Sequence, residues 1–288
     1  MAKAELLSVV RRDPQVLGYA QSRWSLQAIS DCCQWLHLTT KAGLSQLLER
    51  LGISYKRGRD YLHSPDRFYQ EKCSQIELAL LRAWYEPQRY VLVYLDEFGI
   101  YRQPTVAQDW EAVGDSQPLA RRAYKSNTCY RGVGALNALT GQVTYLLRSE
   151  ISVSVLCQLF ALLRADYPTV EQIYVVEDNW PVHFHPQVLA QLSPQDFAYP
   201  PSLPSSWSQL QMPAPSAHPL PITLLNLPTY APWLNPIEKL WRWLKQKVVH
   251  LHRLSDDWPT LKQRVGDFLD QFRQGSQDLL HYVGLLPK

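Results

Sequence analysis

Tyr90-Val-Leu-Val-Tyr-Leu-Asp-Glu-Phe-Gly99 decides how this chain is read. The six apolar and aromatic residues from Tyr90 to Leu95 have the length of one strand and leave no polar face, the pattern of a central strand covered on both sides. The run stops at Asp96-Glu97, with Gly99 close behind. Ile173-Tyr-Val-Val176 repeats the arrangement and stops at Glu177-Asp178-Asn179. Two buried strands that each end in acids predict an α/β sheet with carboxylates gathered at its carboxyl edge, where loops are free to project side chains into a shared crevice.

Outward from these strands, Cys129 to Asn137 and Gln142 to Leu147 read as a hairpin around Thr140-Gly141. Ser152 to Ala165 has helical spacing, with Val155, Leu159, Leu162 and Leu163 on one side. Ile222 to Leu225 is a third, shorter buried strand. It is followed by the stiff loop Pro228-Thr-Tyr-Ala-Pro-Trp-Leu234 and an amphipathic helix from Pro236 to about His250. Strand, hairpin, helix, strand, helix, strand and helix in succession imply a mixed sheet with helices on its faces. Tyr199 to Pro221 stands apart, with seven prolines, five serines and no Lys, Arg, Asp or Glu. Such a segment is neither helix nor central strand, and predicts an excursion beneath which the sheet closes.

The first 85 residues read as helical. Leu26, Ile29, Cys33 and Leu36 form one apolar stripe, and Leu44, Leu47, Leu48 and Leu51 form another that ends at Gly52. Ser54 can cap a third short helix, Tyr55 to Leu62, which carries Lys56, Arg57 and Arg59. A helix, a tight turn and a basic helix make the pattern of a helix-turn-helix, whose second helix enters the DNA major groove.

With 46% hydrophobic and 11% aromatic residues among 288, the chain is too apolar for intrinsic disorder. No uninterrupted apolar run is long enough for a membrane span, and the N-terminus lacks a signal-peptide core, so a cytoplasmic protein is expected. Five cysteines without a C-x-x-C pair point to free thiols rather than a disulfide framework or a structural zinc site. The net charge of +3 is unevenly spread. Residues 1–85 carry 12 basic and 8 acidic side chains, residues 86–238 carry 8 and 13, and residues 239–288 carry 9 and 5. Basic flanks suit a polyanion, and an acidic centre suits a metal.

Asp96 and Asp178 follow the two strands, and Glu238 sits in the first turn of the helix after the third. Three carboxylates in one place repel unless divalent, oxygen-preferring cations neutralise them, and two such ions would serve in-line displacement at phosphorus. Each acid also has a plainer reading. Asp96 and Asp178 suit solvated turns, and Asn235-Pro-Ile-Glu238 has the form of a capping box. His183 and His185 read more readily as solvated loop residues than as phosphate ligands, and Trp241 as core. Arg242, Lys245 and Lys247 form a basic face suited to a DNA backbone.

The strings LPTYAPWLNPIEKLWRWLK (227–245), LDEFG (95–99) and VVEDNWPVH (175–183) resemble the mariner-like insertion-sequence transposases of bacteria, members of the DDE superfamily of endonucleases with a ribonuclease H-like core. RRDP (11–14), RWSL (23–26), GISYKR (52–57) and SPD (64–66) resemble the DNA-binding region before that core. The resemblance implies that Asp96, Asp178 and Glu238 are the catalytic acids and hold two Mg²⁺ ions, with Mn²⁺ as a substitute. It further implies cleavage of double-stranded DNA at terminal inverted repeats, strand transfer into target DNA, typically at TA, and a homodimeric synaptic complex close to the nucleoid. The domains expected are a helical DNA-binding domain at 1–86, a ribonuclease H-like catalytic domain at 87–252 and a helical tail at 253–288.

Two features depart from the family pattern. Fifty-nine residues separate Asp178 from Glu238, against roughly three dozen in the family, and removing the 23 residues of 199–221 leaves 36. The chain also begins only ten residues before Arg11, where relatives carry another helix-turn-helix, which suggests a shortened or split gene. An inactive DNA-binding remnant is the main alternative. A carboxylate-pair glycosidase fits the acids but leaves the basic flanks unexplained.

Overall fold

The computed structural model describes residues 2–38, 40–56, 63–199, 203–210 and 213–286. Two compact units divide the chain, residues 1–61 and residues 62–288.

In the smaller unit, α1 (Ala2–Val10), α2 (Leu26–Cys32) and α3 (Lys41–Arg50) enclose a small core of Leu6, Ile29, Cys33 and Leu44. Side chains that accept hydrogen bonds from otherwise orphaned amides fix both later helix starts: Ser25 from Ala28 and Thr40 from Gly43. Gly52, at φ +65°, ends α3 in the left-handed conformation that a side chain would disfavour. The third helix expected from Tyr55 is not present at its start, because residues 53 to 56, Lys56 included, form irregular chain. Arg57 and Arg59 lie outside the described residues.

The larger unit is built on a five-stranded sheet in the order β3-β2-β1-β4-β5, comprising β1 (Tyr90–Tyr101), β2 (Cys129–Asn137), β3 (Val143–Arg148), β4 (Gln172–Glu177) and β5 (Ile222–Asn226). The hairpin strands β2 and β3 run antiparallel beside β1, while β4 and β5 run parallel to it. On one face, α5 (Val153–Asp166) buries Val155, Leu156, Leu159, Phe160 and Leu163 against Val91, Val93, Leu95, Ile173 and Val175. Each such side chain contributes roughly 1.5–3 kcal/mol. The other face carries α4 (Tyr69–Tyr85), α7 (Ile237–Leu244), α8 (Trp258–Asp270) and α9 (Gln277–Val283) over Leu92, Tyr94, Phe98, Tyr174 and Val176. Between β4 and β5 lies the short α6 (Pro186–Leu189).

Compact packing divides the chain between residues 61 and 62. The reason is that Ile76, Ala79 and Ala83 of α4 belong to the core over the sheet. Leu269, Leu279 and Val283 of the expected tail share that core. Among the described residues no helix is long and apolar enough to cross a membrane, and the five cysteines are free thiols.

Ring contacts hold the earlier part of the Pro/Ser-rich stretch, Tyr199 on Phe68 and Trp207 edge-on to His185, while backbone hydrogen bonds secure its end. The Ser216 and Leu220 amides donate to the Ala190 and Gln191 carbonyls, and Leu192 bridges Leu220 just before β5 begins. Loop closure grows only slowly more costly with length, by about 0.6 kcal/mol per doubling. Replacing residues 200–212 with a short Gly/Ser linker should thus leave the urea midpoint near that of the wild type, while extending the deletion through Leu220 should lower it clearly.

Candidate active site

β1 and β4 pair in parallel from Tyr90 beside Gln172 to Tyr94 beside Val176. The same offset carried two residues further sets Asp96 beside Asp178. Side chains alternate across a sheet, so Asp96 follows Leu92 and Tyr94 onto the α7 face, while Glu97 follows Val93 and Leu95 onto the α5 face. Glu177 likewise follows Val175 onto the α5 face, and Asp178 is the first residue beyond β4. Strand alternation thus sorts four neighbouring acids into two sets.

Asp96 does not end its strand. β1 continues to Tyr101 because β2 pairs with it as far as Cys129, with Asp96 opposite Gly134, whereas the parallel partner β4 stops at Glu177. The carboxyl-edge crevice therefore opens on the β4 side alone. Within it, the Trp241 indole N–H donates to Asp96 Oδ2 at 3.0 Å. Gly134 makes room for that ring: a Cβ there would lie 2.9 Å from Trp241 Cη2. Phe98 stacks on Trp241, with centroids 4.2 Å apart. Trp241 is core, as its position on the apolar stripe implies, and it is also the donor that orients the first aspartate.

Burial, reinforced by Glu97, Glu238 and Asp178, pushes the Asp96 carboxyl up to about 8. Glu238 is also raised by burial, while Arg242 and Lys245 oppose the rise and Asp178 adds to it. Asp178 is more exposed than Asp96 and accepts the Trp180 amide at 2.9 Å. The three acids thus meet in one electrostatic neighbourhood. Among the described residues no three such side chains are already closed around a point that would hold a metal ion. Their all-carboxylate donor set and mutual repulsion nevertheless fit a hard divalent cation.

The expected capping box does not form. Asn235 instead donates its side-chain amide to Leu95 O at 3.0 Å, so it ties the start of α7 to β1, and no side chain caps the helix. Glu238 is therefore free of a capping duty. Beyond Leu244 the α-helix gives way to a π turn, Lys245–Val249. Arg242 and Lys245 lie near enough to act on Glu238. Lys247 instead lines a shallow groove of about 380 Å³ with Trp243, Arg264 and Phe268.

The second set of acids was not assigned from sequence. His183, only 1% exposed, places Nε2 2.9 Å from Glu97 Oε1 and Nδ1 3.4 Å from Glu177 Oε2, with Asp178 Oδ1 at 3.6 Å. It is a buried clasp, not a solvated loop residue. Burial alone would depress the imidazole, but Glu177, Glu97 and Asp178 outweigh it and raise His183 to about 10. Burial also raises Glu177, which is fully enclosed and, among the described residues, has no hydrogen-bond partner at either oxygen. The surrounding carboxylates favour the charged form of His183, which donates from Nε2 to Glu97. His185 caps α6 by accepting the Gln187 amide and meets Trp207 edge-on. Asn179 links the two strand ends, donating to Leu227 O and accepting from Asn226.

The family model described as DDE superfamily endonuclease matches residues 91–262. An insertion element IS630 uncharacterized 39 kDa protein of Shigella sonnei is 25% identical over 271 residues, covering 92% of this chain and 69% of that protein. Among solved structures, the Mos1 mariner paired-end complex with Mn aligns at a TM-score of 0.60 and 17% identity, over 98% of this chain and 74% of that one. The corresponding complex with Mg aligns at 0.60 and 16%, over 98% and 75%. These likenesses bear out the ribonuclease H-like mixed sheet with helices before its first strand.

Asp96 ordinarily titrates near 3.8, and the folded state raises it to about 8. Folding therefore favours the protonated form, and the stability this contributes is complete below pH 4 and lost as pH rises through 8. In chelator, the melting temperature should fall from pH 5 to pH 9, and Asp96→Asn should make that fall shallower. His183→Ala would strand Glu177 without a cation, and should destabilise the fold by roughly 3–5 kcal/mol in urea titrations.

Proposed function

From the membership of this chain in the DDE superfamily of endonucleases, whose family model spans residues 91–262, we infer that it is an insertion-sequence transposase. It would cut DNA at the ends of its element and join them to target DNA, with TA as the target dinucleotide. The observation that carries this reading is the shared register of β1 and β4, which sets Asp96 beside Asp178 while Glu238 approaches from α7.

Asp96, Asp178 and Glu238 are the residues that would hold divalent cations, Mg²⁺ or Mn²⁺, two to a site. Such ions, when bound, lower the pKa of a water or 3′-hydroxyl nucleophile and neutralise the leaving oxygen. The protein's own part is orientation. Trp241 fixes one oxygen of Asp96, which leaves the other directed by the sheet. Asn235 anchors α7 to β1, so the position of Glu238 follows that of Asp96. Arg242 and Lys245, beside Glu238, are suited to the phosphate oxygens of the bound strand, with Lys247 further along. Lys56, Arg57 and Arg59 are proposed to contact the transposon end. Mos1 is known as a paired-end complex with a transposon end, which supports DNA as the partner here, and a homodimer is the working assembly we propose. A cytoplasmic location beside the nucleoid follows from that role.

The test is a labelled duplex carrying the inverted repeats that flank the coding sequence, incubated with the protein and Mg²⁺. Wild type should nick the repeat end. Asp96→Asn, Asp178→Asn and Glu238→Gln should each slow nicking by at least about 100-fold, the low end for loss of a group acting in the transition state, while DNA binding persists. An uncut duplex with retained binding by the wild type would favour the inactive remnant instead.

A further inference from the structure

Ser64, Asp66 and Lys72 stand at the entrance to the larger unit and take no part in either acid set. They are nonetheless buried. The Lys72 and Asp66 side chains are 7% and 6% exposed and pair at 2.8 Å. Asp66 Oδ2 also accepts the Thr229 amide at 2.8 Å, and Oδ1 accepts the Phe68 amide at 2.9 Å. Ser64 Oγ donates to the Thr229 carbonyl at 2.6 Å and accepts the Asp66 amide at 3.3 Å. Both backbone polar groups of Thr229 are thus gripped by side chains more than 160 positions away.

The gripped loop has a demanding task. It leaves β5, reverses direction and delivers α7 with Glu238 in its first turn. Tyr230, directly after Thr229, adopts φ +54°, a conformation that a non-glycine residue holds only where its surroundings impose it. The Tyr230 side chain is exposed and supplies no packing of its own. A second tie, from the Trp233 indole N–H to the Tyr69 hydroxyl at 3.5 Å, joins the same loop to α4. Burial alone would raise Asp66, but the Lys72 hydrogen bond and the Thr229 and Phe68 amides outweigh it and hold the carboxyl to about 2. The grip is therefore ionic across the physiological range.

We propose that Ser64, Asp66 and Lys72 are positioning residues for Glu238, fixing the loop from Leu227 to Asn235 so that the third acid faces Asp96 and Asp178. This rests on the three-acid reading. A clasp serving only the fold would change overall stability and leave the loop and the acids as they are.

The experiment compares wild type with Ser64→Ala, Ser64→Thr and the double variant Asp66→Asn/Lys72→Met, which removes both charges together so that neither is stranded. Hydrogen exchange by mass spectrometry should show faster exchange in peptides spanning 227–236 for Ser64→Ala and the double variant, with β1 and β4 unchanged. Mn²⁺ affinity, followed by electron paramagnetic resonance, should weaken roughly tenfold, as it does when groups that orient metal ligands are lost. Ser64→Thr, which keeps the hydroxyl, should restore both. Unchanged loop exchange, or loss of protection spread evenly through the sheet, overturns the inference. Unchanged Mn²⁺ affinity in the variants, with wild-type binding that depends on Glu238, overturns the positioning role alone. Wild-type Mn²⁺ binding indifferent to Glu238→Gln overturns the three-acid reading, and the positioning role with it.

Discussion

The parallel pairing of β1 with β4 is the constraint on which everything else in the larger unit depends. Its register brings two aspartates, 82 residues apart in sequence, to one level of the sheet, and the two-residue period of a strand decides which face each acid meets. A slip of one residue would exchange the sets. It would drive Asp96 toward the α5 core and bring Glu97 out beneath α7. The close fit of each face of both strands to its own helices opposes that slip, so the packing of the core sets the geometry of the charged site.

Sequence made the sheet legible because its strands are continuous apolar runs punctuated by acids, and it singled out the three separated acids because two follow apolar runs and the third opens an amphipathic helix. Less visible was what those acids lean on. Asn235 looked like a helix cap, since Asn, Pro and Glu at that spacing satisfy a helix start locally. Its side chain turns instead to a carbonyl 140 residues away, a partner that only the folded sheet supplies. His183 looked solvated because loop histidines usually are, and its burial depends on two glutamates from different strands. One signal was available in Arg131-Gly-Val-Gly134. Glycines spaced by two within a strand mark a face where a bulky group comes close, and Phe98 and Trp241 occupy that face.

The two sets of acids live under different electrostatic rules. Glu97 and Glu177 find their counter-charge inside the protein, in an imidazole sealed from water. Asp96 has an indole donor but no cation in contact among the described residues, and Asp178 remains largely open. One set shares a single internal imidazole between its two glutamates and so joins the ends of β1 and β4. The other is held short of neutrality, which leaves it an appetite for positive charge from outside. A scaffold that neutralised all its acids internally would be more stable and chemically idle.

The indole that lies across Gly134 also bears on how such a chain can change over generations. Position 134 accepts no side chain while Trp241 is present, and a smaller residue at 241 forfeits the donor to Asp96 before any gain at 134 is realised. Neither single step is neutral. The pair forms a ratchet in sequence space: descendants are free to drift around it, but can leave it only by two simultaneous substitutions or by first losing the use of the aspartate. Glycine at one position and tryptophan at the other should therefore be inherited together, and a lineage in which one has gone should be one in which selection on the acids has already lapsed.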